Sequence, residues 1–428
     1  MMLNIQNWLE KHQNQRIIVG FSGGLDSVVL LHLLAMARTQ YVFDLSAIHV
    51  HHNLSQNADK WADFCLDFCE NWKIPLTIKY VQVNSEKLGV EAAARAARYA
   101  VFREYAGDVL ALAHHRDDQV ETFFLAALRG SGIRGLAAMA ENQFSGSLKI
   151  ARPLLHFSRH QIEQYAQHNQ LTHITDDSND NPIFLRNWLR HNGLPNIRQR
   201  LPHTDQHIIA AIANLQDELA LINEITEFDH QHIYQNQKFN IFHWRELSPA
   251  RRRQQLVLFA KKFELGTPRR VSVMNFESIL LHHDRAEWTL PQGVAVAYGG
   301  VLFALPRDWQ NQFAWHKPLS GCLKDIAAHC EITFQPNKMG LPTNIFTQNL
   351  TIRATQSGDV LPMKSGSKSV KKLLQEHHIP PFLRADYPVL IDENGTCLAV
   401  VGLAVNQRMT VANGVMPVCE KLGRFLIK

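Results

Sequence analysis

The sequence has few cysteines, and they are not arranged as a disulfide framework or a zinc site would require. Six cysteines occur in 428 residues, and none of them form a Cys-x-x-Cys pair. Cys65 and Cys69 are four residues apart, which places them on one face of a helix if that segment is helical. Small buried side chains explain this pair better than a metal does. A disulfide-rich secreted scaffold is therefore excluded.

Long apolar runs are also missing. No segment approaches the roughly 20 consecutive apolar residues that a membrane-spanning helix needs. The first ten residues, MMLNIQNWLE, lack the basic stretch and apolar core of a secretory signal. No internal repeat and no low-complexity tract is present. We therefore expect a soluble, cytoplasmic protein that makes no use of a membrane.

The overall charge is close to balance, but its distribution is uneven. The 44 basic and 39 acidic side chains give a net charge of +5, and 46% of the residues are apolar. An apolar share of that size suits packed cores and argues against general disorder. The length predicts two or three domains.

A glycine-rich turn near the N-terminus is the most informative segment. The strand-like run Ile17–Phe21 ends at Ser22-Gly23-Gly24, and Asp26-Ser27 then open an apolar helix. Glycines in such a turn let backbone N–H groups approach an anion, and the helix N-terminus adds its dipole and unpaired donors. The Lys of a Walker phosphate loop is absent. The alternative is a glycine turn capped by Ser and Asp. The form Ser-Gly-Gly-x-Asp-Ser resembles the pyrophosphate loop of ATP pyrophosphatases, and we favour nucleotide binding.

The first 205 residues alternate strand-like and helix-like segments, which predicts a parallel sheet covered by helices. Ligands bind such sheets at the carboxyl ends of the strands, where Ser22, His49 and His114 would converge. The predicted strands are Ile17–Phe21, Leu45–His49, Leu76–Val83 and Val109–Ala113. The predicted helices are Ser27–Ala37, Asn57–Trp72, Glu91–Tyr105, Asp118–Leu128 and Ser158–Asn169.

The predicted secondary structure changes twice in the rest of the chain. A long helix is expected at 206–228, a connection at 229–240, and helical pattern again from Ser248-Pro249. A boundary is expected within Leu305–Gly321, and the region after it has β character. Short strands are predicted at Leu350–Ala354, Tyr387–Ile391 and Thr396–Val401, with a turn at 392–395. We expect domains at 1–205, 206–315 and 316–428.

The segment His114–Thr122 follows a predicted strand and enters a helix. Asp118 and Glu121 are three residues apart and would share a helix face. Two carboxylates beside a bound triphosphate can hold Mg²⁺ or a substrate ammonium group. Acidic residues that merely stabilise a helix N-terminus are the alternative. The paired histidines and the position at a strand's carboxyl end favour a functional role.

Arginines recur on three separate segments of the first domain. Each has a structural alternative: a salt bridge from Glu91 to Arg95, a mobile glycine turn at 128–135, or a solvated helix face at 185–190. A guanidinium also binds two phosphate oxygens at once. The candidate phosphate contacts are therefore Arg95, Arg98, Arg129, Arg134, Arg186 and Arg190.

Two segments outside the first domain are basic. Ser248–Arg270 carries seven Lys or Arg residues against one acidic residue, and Thr351–Arg384 carries six against two. One basic face is usually just solvated, but two on separate domains suggest a long polyanion such as a nucleic acid. In the second segment the candidate contacts are Lys364, Lys368, Lys371, Lys372 and Arg384.

With these segments in hand, the chain resembles the tRNA(Ile)-lysidine synthetase family over essentially its whole length. The resemblance rests on motifs in a fixed order, of which the loop alone would specify only the PP-loop superfamily. The motifs are Ser22–Ser27, His49–Leu54, Glu91–Tyr99, His114–Thr122, Arg129–Leu136, Arg152–Leu155, Asp177–Arg190 and the C-terminal pattern from Arg353 through Gly358-Asp359 and Lys371–Leu373 to Pro388.

The resemblance implies an α/β fold class: an N-terminal doubly wound parallel-sheet PP-loop ATPase domain, a mainly helical middle domain and a small α+β C-terminal domain. It implies a ligase that uses ATP and Mg²⁺ to adenylate C2 of the wobble cytidine in the isoleucine tRNA with a CAU anticodon. The ε-amine of L-lysine then attacks C2 and AMP leaves. The oligomeric state is left open, a homodimer included.

The motifs and the resemblance together predict the site residues. The catalytic set is Asp26, His114, Asp118, Glu121 and Arg186, with Asp118 and Glu121 binding lysine and Asp26 a metal ligand. The ATP loop is Ser22, Gly23, Gly24, Leu25, Asp26 and Ser27. The tRNA contacts are Arg95, Arg98, Arg129, Arg134, Arg190, Lys364, Lys368, Lys371, Lys372 and Arg384.

Two other functions compete with this one. Another tRNA-modifying ATP pyrophosphatase, such as a thiolation enzyme, would need reactive cysteines, and none lies near a catalytic motif in the sequence. A non-catalytic tRNA-binding protein with an inherited nucleotide loop would have no use for Asp118 and Glu121. No glutaminase signature is evident, which weakens amide-nitrogen transfer.

Overall fold

The computed structural model describes residues 3–53, 57–82, 90–104, 107–146, 148–175 and 185–426. The first part of the motif Asp177–Arg190, up to residue 184, lies outside the described residues, as do Leu54, Val83 and Tyr105. The chain divides into two compact units, residues 1–222 and 223–428. The division into three domains, with boundaries near 205 and 315, stays a prediction.

The first unit is built on a six-stranded sheet in the order β3-β2-β1-β4-β6-β5, in which only β5 runs antiparallel to its neighbour. The four predicted strands and five predicted helices are all present, with ends shifted by a few residues. The strands are β1 Arg16–Gly20, β2 Asp44–His51, β3 Leu76–Tyr80, β4 Val109–Ala111, β5 Asn142–Ser145 and β6 Leu148–Ala151. The helices are α1 Gln6–Lys11, α2 Leu25–Ala37, α3 Ala58–Asn71, α4 Val90–Glu104, α5 Arg116–Leu128, α6 Ile133–Leu136, α7 Arg159–His168, α8 Leu185–Trp188 and α9 Leu194–Arg200.

Both faces of this sheet are covered. Alternate residues of β1 point to opposite faces, so that Ile17 and Val19 enter the larger core while Ile18 packs against the smaller one. Helices α2, α3 and α7 supply the larger core, and α4 supplies Val101 and Phe102 to the smaller one. Helices on both faces of a parallel sheet make the doubly wound fold, which is confirmed.

The order of the strands locates the ligand crevice. The chain moves outward from β1 to β2 and β3, and then returns to place β4 on the other side of β1. Ile17 of β1 is level with Leu45 on one side and Val109 on the other. A doubly wound sheet binds its ligand where the strand order reverses, outside the carboxyl ends of the strands on either side. The loops after β1 and β4 meet at that point.

The middle of the chain is helical, as predicted, and also contains a five-stranded antiparallel sheet that the sequence analysis does not predict. The segment 229–240, predicted as a connection, contains the end of a helix and a β-hairpin. The helices are α10 Thr204–Ile233, α11 Ile241–Arg245, α12 Pro249–Lys262 and α13 Arg270–His282. The strands are β7 Tyr234–Gln235, β8 Lys238–Asn240, β9 Ala286–Leu290, β10 Gly293–Tyr298 and β11 Val301–Pro306.

The two hairpin turns of this sheet differ in how clearly the sequence indicates them. Asn236 and Gln237 both have positive φ, 50° and 61°, which is the conformation of a type I′ hairpin turn without its usual glycine. Gly299 and Gly300, with φ of 59° and 79°, make a second such turn between β10 and β11. The Gly-Gly pair flanked by apolar residues was a signal that could have revealed the β10–β11 hairpin.

The C-terminal region is β-rich with short helices, as predicted. A five-stranded antiparallel sheet, β12-β14-β17-β18-β19, is accompanied by the ribbons β13–β20 and β15–β16. The strands are β12 Leu319–Cys322, β13 Ile332–Gly340, β14 Asn349–Ala354, β15 Val360–Pro362, β16 Ser367–Ser369, β17 Pro388–Ile391, β18 Cys397–Val400, β19 Ala404–Val405 and β20 Val411–Cys419. The helices are α14 Leu323–His329, α15 Val370–Glu376, α16 Pro381–Arg384 and α17 Glu420–Gly423.

The predicted turn at 392–395 is present between β17 and β18. The Asp392 carboxylate accepts hydrogen bonds from the backbone N–H groups of Asn394 and Thr396, at 3.0 and 2.7 Å, and Gly395 takes a positive φ of 80°. Within the described parts of the chain, no helix combines the length and apolar character needed to cross a membrane.

Candidate active site

The loop after β1 is held in a tight turn that requires glycine. Gly23 has a φ of +81°, and a Cβ on it would lie 2.3 Å from Cδ1 of Ile174, so any side chain would clash. The backbone N–H of Ile174 donates to the Gly23 carbonyl at 2.9 Å, which closes the loop from outside. The Ser27 hydroxyl donates to the Gly24 carbonyl at 2.9 Å and ties the loop to the first turn of α2.

All six predicted ATP-binding residues, Ser22 to Ser27, lie on this turn and on the start of α2. Gly24 is the extended residue at the N-cap position. The first backbone N–H groups of a helix have no intrahelical acceptor, and the dipole favours an anion in front of them. The geometry suits a pyrophosphate group, and the assignment of each residue stays a prediction.

Asp26, in the first turn of α2, faces the side chains of an arginine and a histidine. Nη1 of Arg159 lies 2.8 and 2.7 Å from its two carboxylate oxygens, and Nε2 of His115 lies 3.7 Å from Oδ1. Burial raises the pKa of Asp26 above its ordinary value, while His115 and Arg159 act in the opposite direction. Its carboxylate is therefore more costly to ionise than one in water.

Asp118 and Glu121 lie on one face of α5 and are buried, at 8% and 2% exposed. Nε of Arg186 lies 2.8 Å from Glu121 Oε2, and its Nη2 lies 2.9 Å from Asp118 Oδ1. Nε of Arg190 lies 2.6 Å from Glu121 Oε1, and its Nη2 lies 2.9 Å from Glu121 Oε2. The structure therefore joins the acidic pair to two predicted site arginines that are 65 or more residues away in the sequence.

The positive charges around Asp118 decide its ionisation. Burial alone would raise its pKa, but the charges of His115 and Arg186 outweigh burial and hold the pKa below its ordinary value. Asp118 therefore stays ionised at neutral pH.

His114 follows β4 and stands beside this pair. Burial lowers its pKa to about 4, although the charge of Asp118 acts to raise it. The ring is therefore neutral at pH 7, and its Nδ1 has no hydrogen-bond partner within the described residues. A neutral imidazole at this position can exchange hydrogen bonds with a substrate but brings no positive charge.

Three residues that the sequence analysis left out connect the loop to the acidic helix. The backbone N–H of His115 donates to Asp118 Oδ2 at 3.0 Å, while its ring reaches toward Asp26. The backbone N–H of Arg159 donates to Asp117 Oδ2 at 2.8 Å. The signals were present, because His115 and Asp117 lie inside the quoted motif and Arg159 follows Ser158, the N-cap of α7.

Comparison with known proteins now identifies the family. Residues 1–197 match the PP-loop domain model, and residues 350–418 match the TilS substrate C-terminal domain. A tRNA(Ile)-lysidine synthase of Neisseria meningitidis serogroup B is 38% identical over 407 residues, covering 94% of this chain and 96% of that protein. Those of Neisseria gonorrhoeae and Chromobacterium violaceum are 37% and 35% identical, covering 94% and 93% of this chain and 92% and 94% of theirs. The chain belongs to the tRNA(Ile)-lysidine synthase family. The predicted family is thereby confirmed.

Members of this family carry a PP-loop domain, so the loop at Ser22–Ser27 belongs to an ATP-using domain. Within the described ranges, no group of three or more His, Cys, Asp or Glu residues is placed to hold a metal ion. Mg²⁺ does not require such a cage, because it commonly takes one or two carboxylates together with substrate phosphates and water. Asp26 at the loop fits that pattern.

Four of the five predicted tRNA contacts of the first unit are exposed, whereas the fifth, Arg190, is half-buried and paired with Asp118 and Glu121. The Arg95 guanidinium stacks over the Tyr99 ring, 4.9 Å from its centroid, and Arg98 donates to Nε2 of His52 at 3.4 Å. Arg129 caps the end of α5 and Arg134 lies in α6, both exposed. The side chain of Glu91, the alternative partner of Arg95, is outside the described part of the structure.

The five predicted contacts of the C-terminal region differ in their surroundings. Lys364, Lys371 and Lys372 are exposed. Lys368 forms an ion pair with Glu376 on α15, and Nε of Arg384 donates to the carbonyl of Ile379 at 2.8 Å. The first three are therefore the stronger candidates for phosphate contacts.

The basic segment of the middle region has fewer available charges than its sequence suggests. Arg251 forms an ion pair with the buried carboxylate of Asp229. Arg252 and Arg253 share the buried Glu277, at 3.0 and 2.9 Å. These three arginines neutralise acidic residues that the sequence places 22 to 25 positions away. They hold α12 against α10 and α13 and contribute little net charge for a polyanion.

Proposed function

We propose that this protein makes lysidine in an isoleucine tRNA. ATP adenylates the C2 oxygen of the wobble cytidine in the CAU-anticodon tRNA and releases pyrophosphate, and the ε-amine of lysine then displaces AMP from C2. The observation that carries the proposal is the meeting of the nucleotide loop and a buried acidic pair at the point where the strand order reverses, in a chain that matches a lysidine synthase over 94% of its length.

The N-terminus of α2 would receive the phosphates of ATP. Backbone N–H groups from Gly24 onward supply donors, and the turn at Gly23 lets the phosphates approach closely. Asp26 would hold Mg²⁺ together with phosphate oxygens. The ion would supply positive charge to offset the charge that develops on the leaving pyrophosphate.

Asp118 and Glu121 would bind lysine. Their carboxylates are buried on a single helix face, and Asp118 stays ionised, which suits recognition of an ammonium group. A low pKa also makes Asp118 a weak base, so it would hold the amine by charge and leave its proton to a stronger acceptor. The amine must lose that proton before it attacks C2.

The thiolation alternative requires an accessible, ionisable cysteine. The structure brings Cys65 beside the loop, which the sequence did not suggest: its Sγ would lie 3.1 Å from a Cβ on Gly23, and it lies 3.5 Å from Nδ1 of His49. Cys65 is fully buried, and burial raises the pKa of its thiol well above the ordinary value. A protonated, inaccessible thiol is unsuited to sulfur delivery.

The decisive experiment is incubation of the protein with ATP, Mg²⁺, radiolabelled lysine and a CAU-anticodon isoleucine tRNA transcript. We expect label in the RNA and AMP and pyrophosphate in solution. The matched control is Asp26→Asn, which we expect to incorporate label at a rate lower by on the order of 10²–10³-fold while it remains folded. RNA without label from the wild-type protein, despite ATP and the tRNA being present, would rule the proposal out.

A further inference from the structure

Arg190 contacts the acidic pair and also interacts with the nucleotide loop. Its guanidinium contacts both carboxylate oxygens of Glu121 and comes within 3.4 Å of Asp118 Oδ1. It also interacts electrostatically with Asp26 of the loop, and each lowers the cost of the other's charge. One side chain is therefore shared by the two parts of the site that bind different substrates.

The acidic pair is already fully engaged. Both oxygens of Glu121 and Oδ1 of Asp118 face the guanidinium groups of Arg186 and Arg190, and Asp118 Oδ2 accepts from the backbone of His115. The two guanidiniums already balance the charge of the two carboxylates, and His115 Nε2 lies 3.5 Å from Asp118 Oδ2 besides. An ammonium group added there would create an uncompensated positive charge, so lysine requires one of the two arginines to leave.

Arg190 is the arginine better placed to leave. Its side chain is 38% exposed against 30% for Arg186. It stands in a π-helical turn, Leu189–Gly193, whereas Arg186 stands in α8. Such wide turns occur mostly as single turns within α-helices and are frequent at functional sites. A released guanidinium needs another anion, and the phosphates of ATP would arrive beside Asp26, within its electrostatic reach.

We propose that the Arg190 side chain occupies the lysine site in the absence of nucleotide and moves to the nucleotide phosphates when ATP binds, so that lysine binds after ATP. We call this side chain the exchangeable arm. This inference rests on the proposed function, in which Asp118 and Glu121 hold lysine. It gives Arg190 a role within the catalytic unit in addition to its predicted contact with tRNA. Because binding free energies are reciprocal, lysine must strengthen nucleotide binding by the same factor as nucleotide strengthens lysine binding.

The test measures this coupling without tRNA and without turnover. Binding of radiolabelled lysine to the full-length protein is followed by equilibrium dialysis with Mg²⁺, in the presence and absence of α,β-methylene-ATP. We expect the analogue to strengthen lysine binding by about 10-fold or more, within the usual range of coupling between sites. Titration of the analogue with and without lysine should return the same factor.

Two variants locate the coupling. Arg190→Gln removes the charge that occupies the pocket, so lysine should bind almost equally well with and without the analogue. Arg198→Gln is the matched control, because Arg198 also pairs with acidic residues, Asp117 at 3.3 Å and Asp205 at 3.0 Å, but not with the lysine site. It should retain the wild-type coupling. Circular dichroism and thermal unfolding verify that both variants are folded.

Three results would overturn the inference: wild-type lysine binding that is indifferent to the analogue, no lysine binding in either condition, or full coupling in Arg190→Gln. The wild-type measurement decides even if the variant fails to fold. Labelled lysine entering tRNA without any coupling would leave the proposed function standing and remove only the exchangeable arm.

Discussion

At the scale of single residues, the site depends on carboxylates whose ionisation is set by opposing influences. Asp26 is buried beside Arg159 and His115, and burial prevails, so its pKa lies above the ordinary value. Asp118 is buried among more positive groups, and these prevail, so its pKa lies below the ordinary value. The pKa values of the two carboxylates of one site are therefore shifted in opposite directions, because burial dominates at Asp26 and the surrounding positive charges dominate at Asp118.

Asp26→Asn should reduce lysidine formation by on the order of 10²–10³-fold, because the charge that places Mg²⁺ against the phosphates is lost. In the proposed function only the ionised carboxylate of Asp26 holds the metal, so the rate of the wild-type enzyme should rise as pH increases through the raised pKa of Asp26. Steady-state rates across a pH series would check both statements. Turnover at the parental rate in the variant would show that Asp26 has no such part.

The same substitution carries an opposite expectation for stability. A carboxylate with a raised pKa binds a proton more readily in the folded state, so its contribution to stability is lost as pH rises from the ordinary pKa through the raised one and is constant above that. Asp26→Asn should therefore unfold at a temperature equal to or above that of the parent at pH 7, with the advantage shrinking as pH falls. Thermal unfolding of both proteins at three pH values would test this. A variant that unfolds at a lower temperature than the parent at pH 7 would contradict the expectation.

Glu121→Gln should raise the KM for lysine by about 10- to 100-fold, the loss expected for one charge-assisted hydrogen bond. The KM for ATP should change much less, because Glu121 does not face the loop. Initial rates with each substrate varied in turn would separate the two constants. An unaltered lysine dependence would return Asp118 and Glu121 to a structural role at the start of α5.

At the scale of elements, the turn of the β7–β8 hairpin contains a residue with strained backbone conformation. Gln237 has a φ of 61° in a turn whose second central position is best filled by glycine. Gln237→Gly, which makes the preferred Asn-Gly pair, should raise the free energy of unfolding by about 0.5–1 kcal/mol.

Urea unfolding followed by tryptophan fluorescence would measure this change. Asn14→Gly is a suitable comparison, because Asn14 also has a positive φ, 59°, but asparagine tolerates that conformation at little cost. A Gln237→Gly variant no more stable than Asn14→Gly would contradict the assignment of strain to this turn.

At the scale of the whole molecule, recognition of one tRNA among many requires contacts far from the cytidine. Lys371 and Lys372 are exposed at the start of α15, in the region that matches the TilS substrate C-terminal domain. Replacing both with Ala should weaken tRNA binding and reduce the slope of log affinity against log salt by about one unit for each lost phosphate contact. ATP affinity should be unchanged.

Lys368→Ala provides the matched control, because its charge is already paired with Glu376 and its loss should alter the slope less. Filter binding across a salt series would measure both variants. Equal slopes for the double variant and the wild-type protein would mean that Lys371 and Lys372 form an ordinary solvated face.

The sequence by itself determined the features that depend on local chemistry. Alternating apolar segments specified the parallel sheet, and the glycine-rich turn specified the nucleotide loop, because strand and helix periodicity and glycine conformations are properties of a few consecutive residues. The spacing of Asp118 and Glu121 likewise specified one helix face. The β7–β8 hairpin was missed because its turn uses Asn-Gln, which carries no strong turn signal.

Only the tertiary structure decided which charges face each other. It paired Arg186 and Arg190 with the acidic pair and Arg159 with Asp26, and it used Arg251, Arg252 and Arg253 to neutralise Asp229 and Glu277. Sequence distance gives no information about such pairs, because they form between elements that the fold brings together. Burial and charged neighbours decide whether a charge is available to a substrate, and they also set the pKa of a carboxylate. Neither property can be predicted from the order of residues alone.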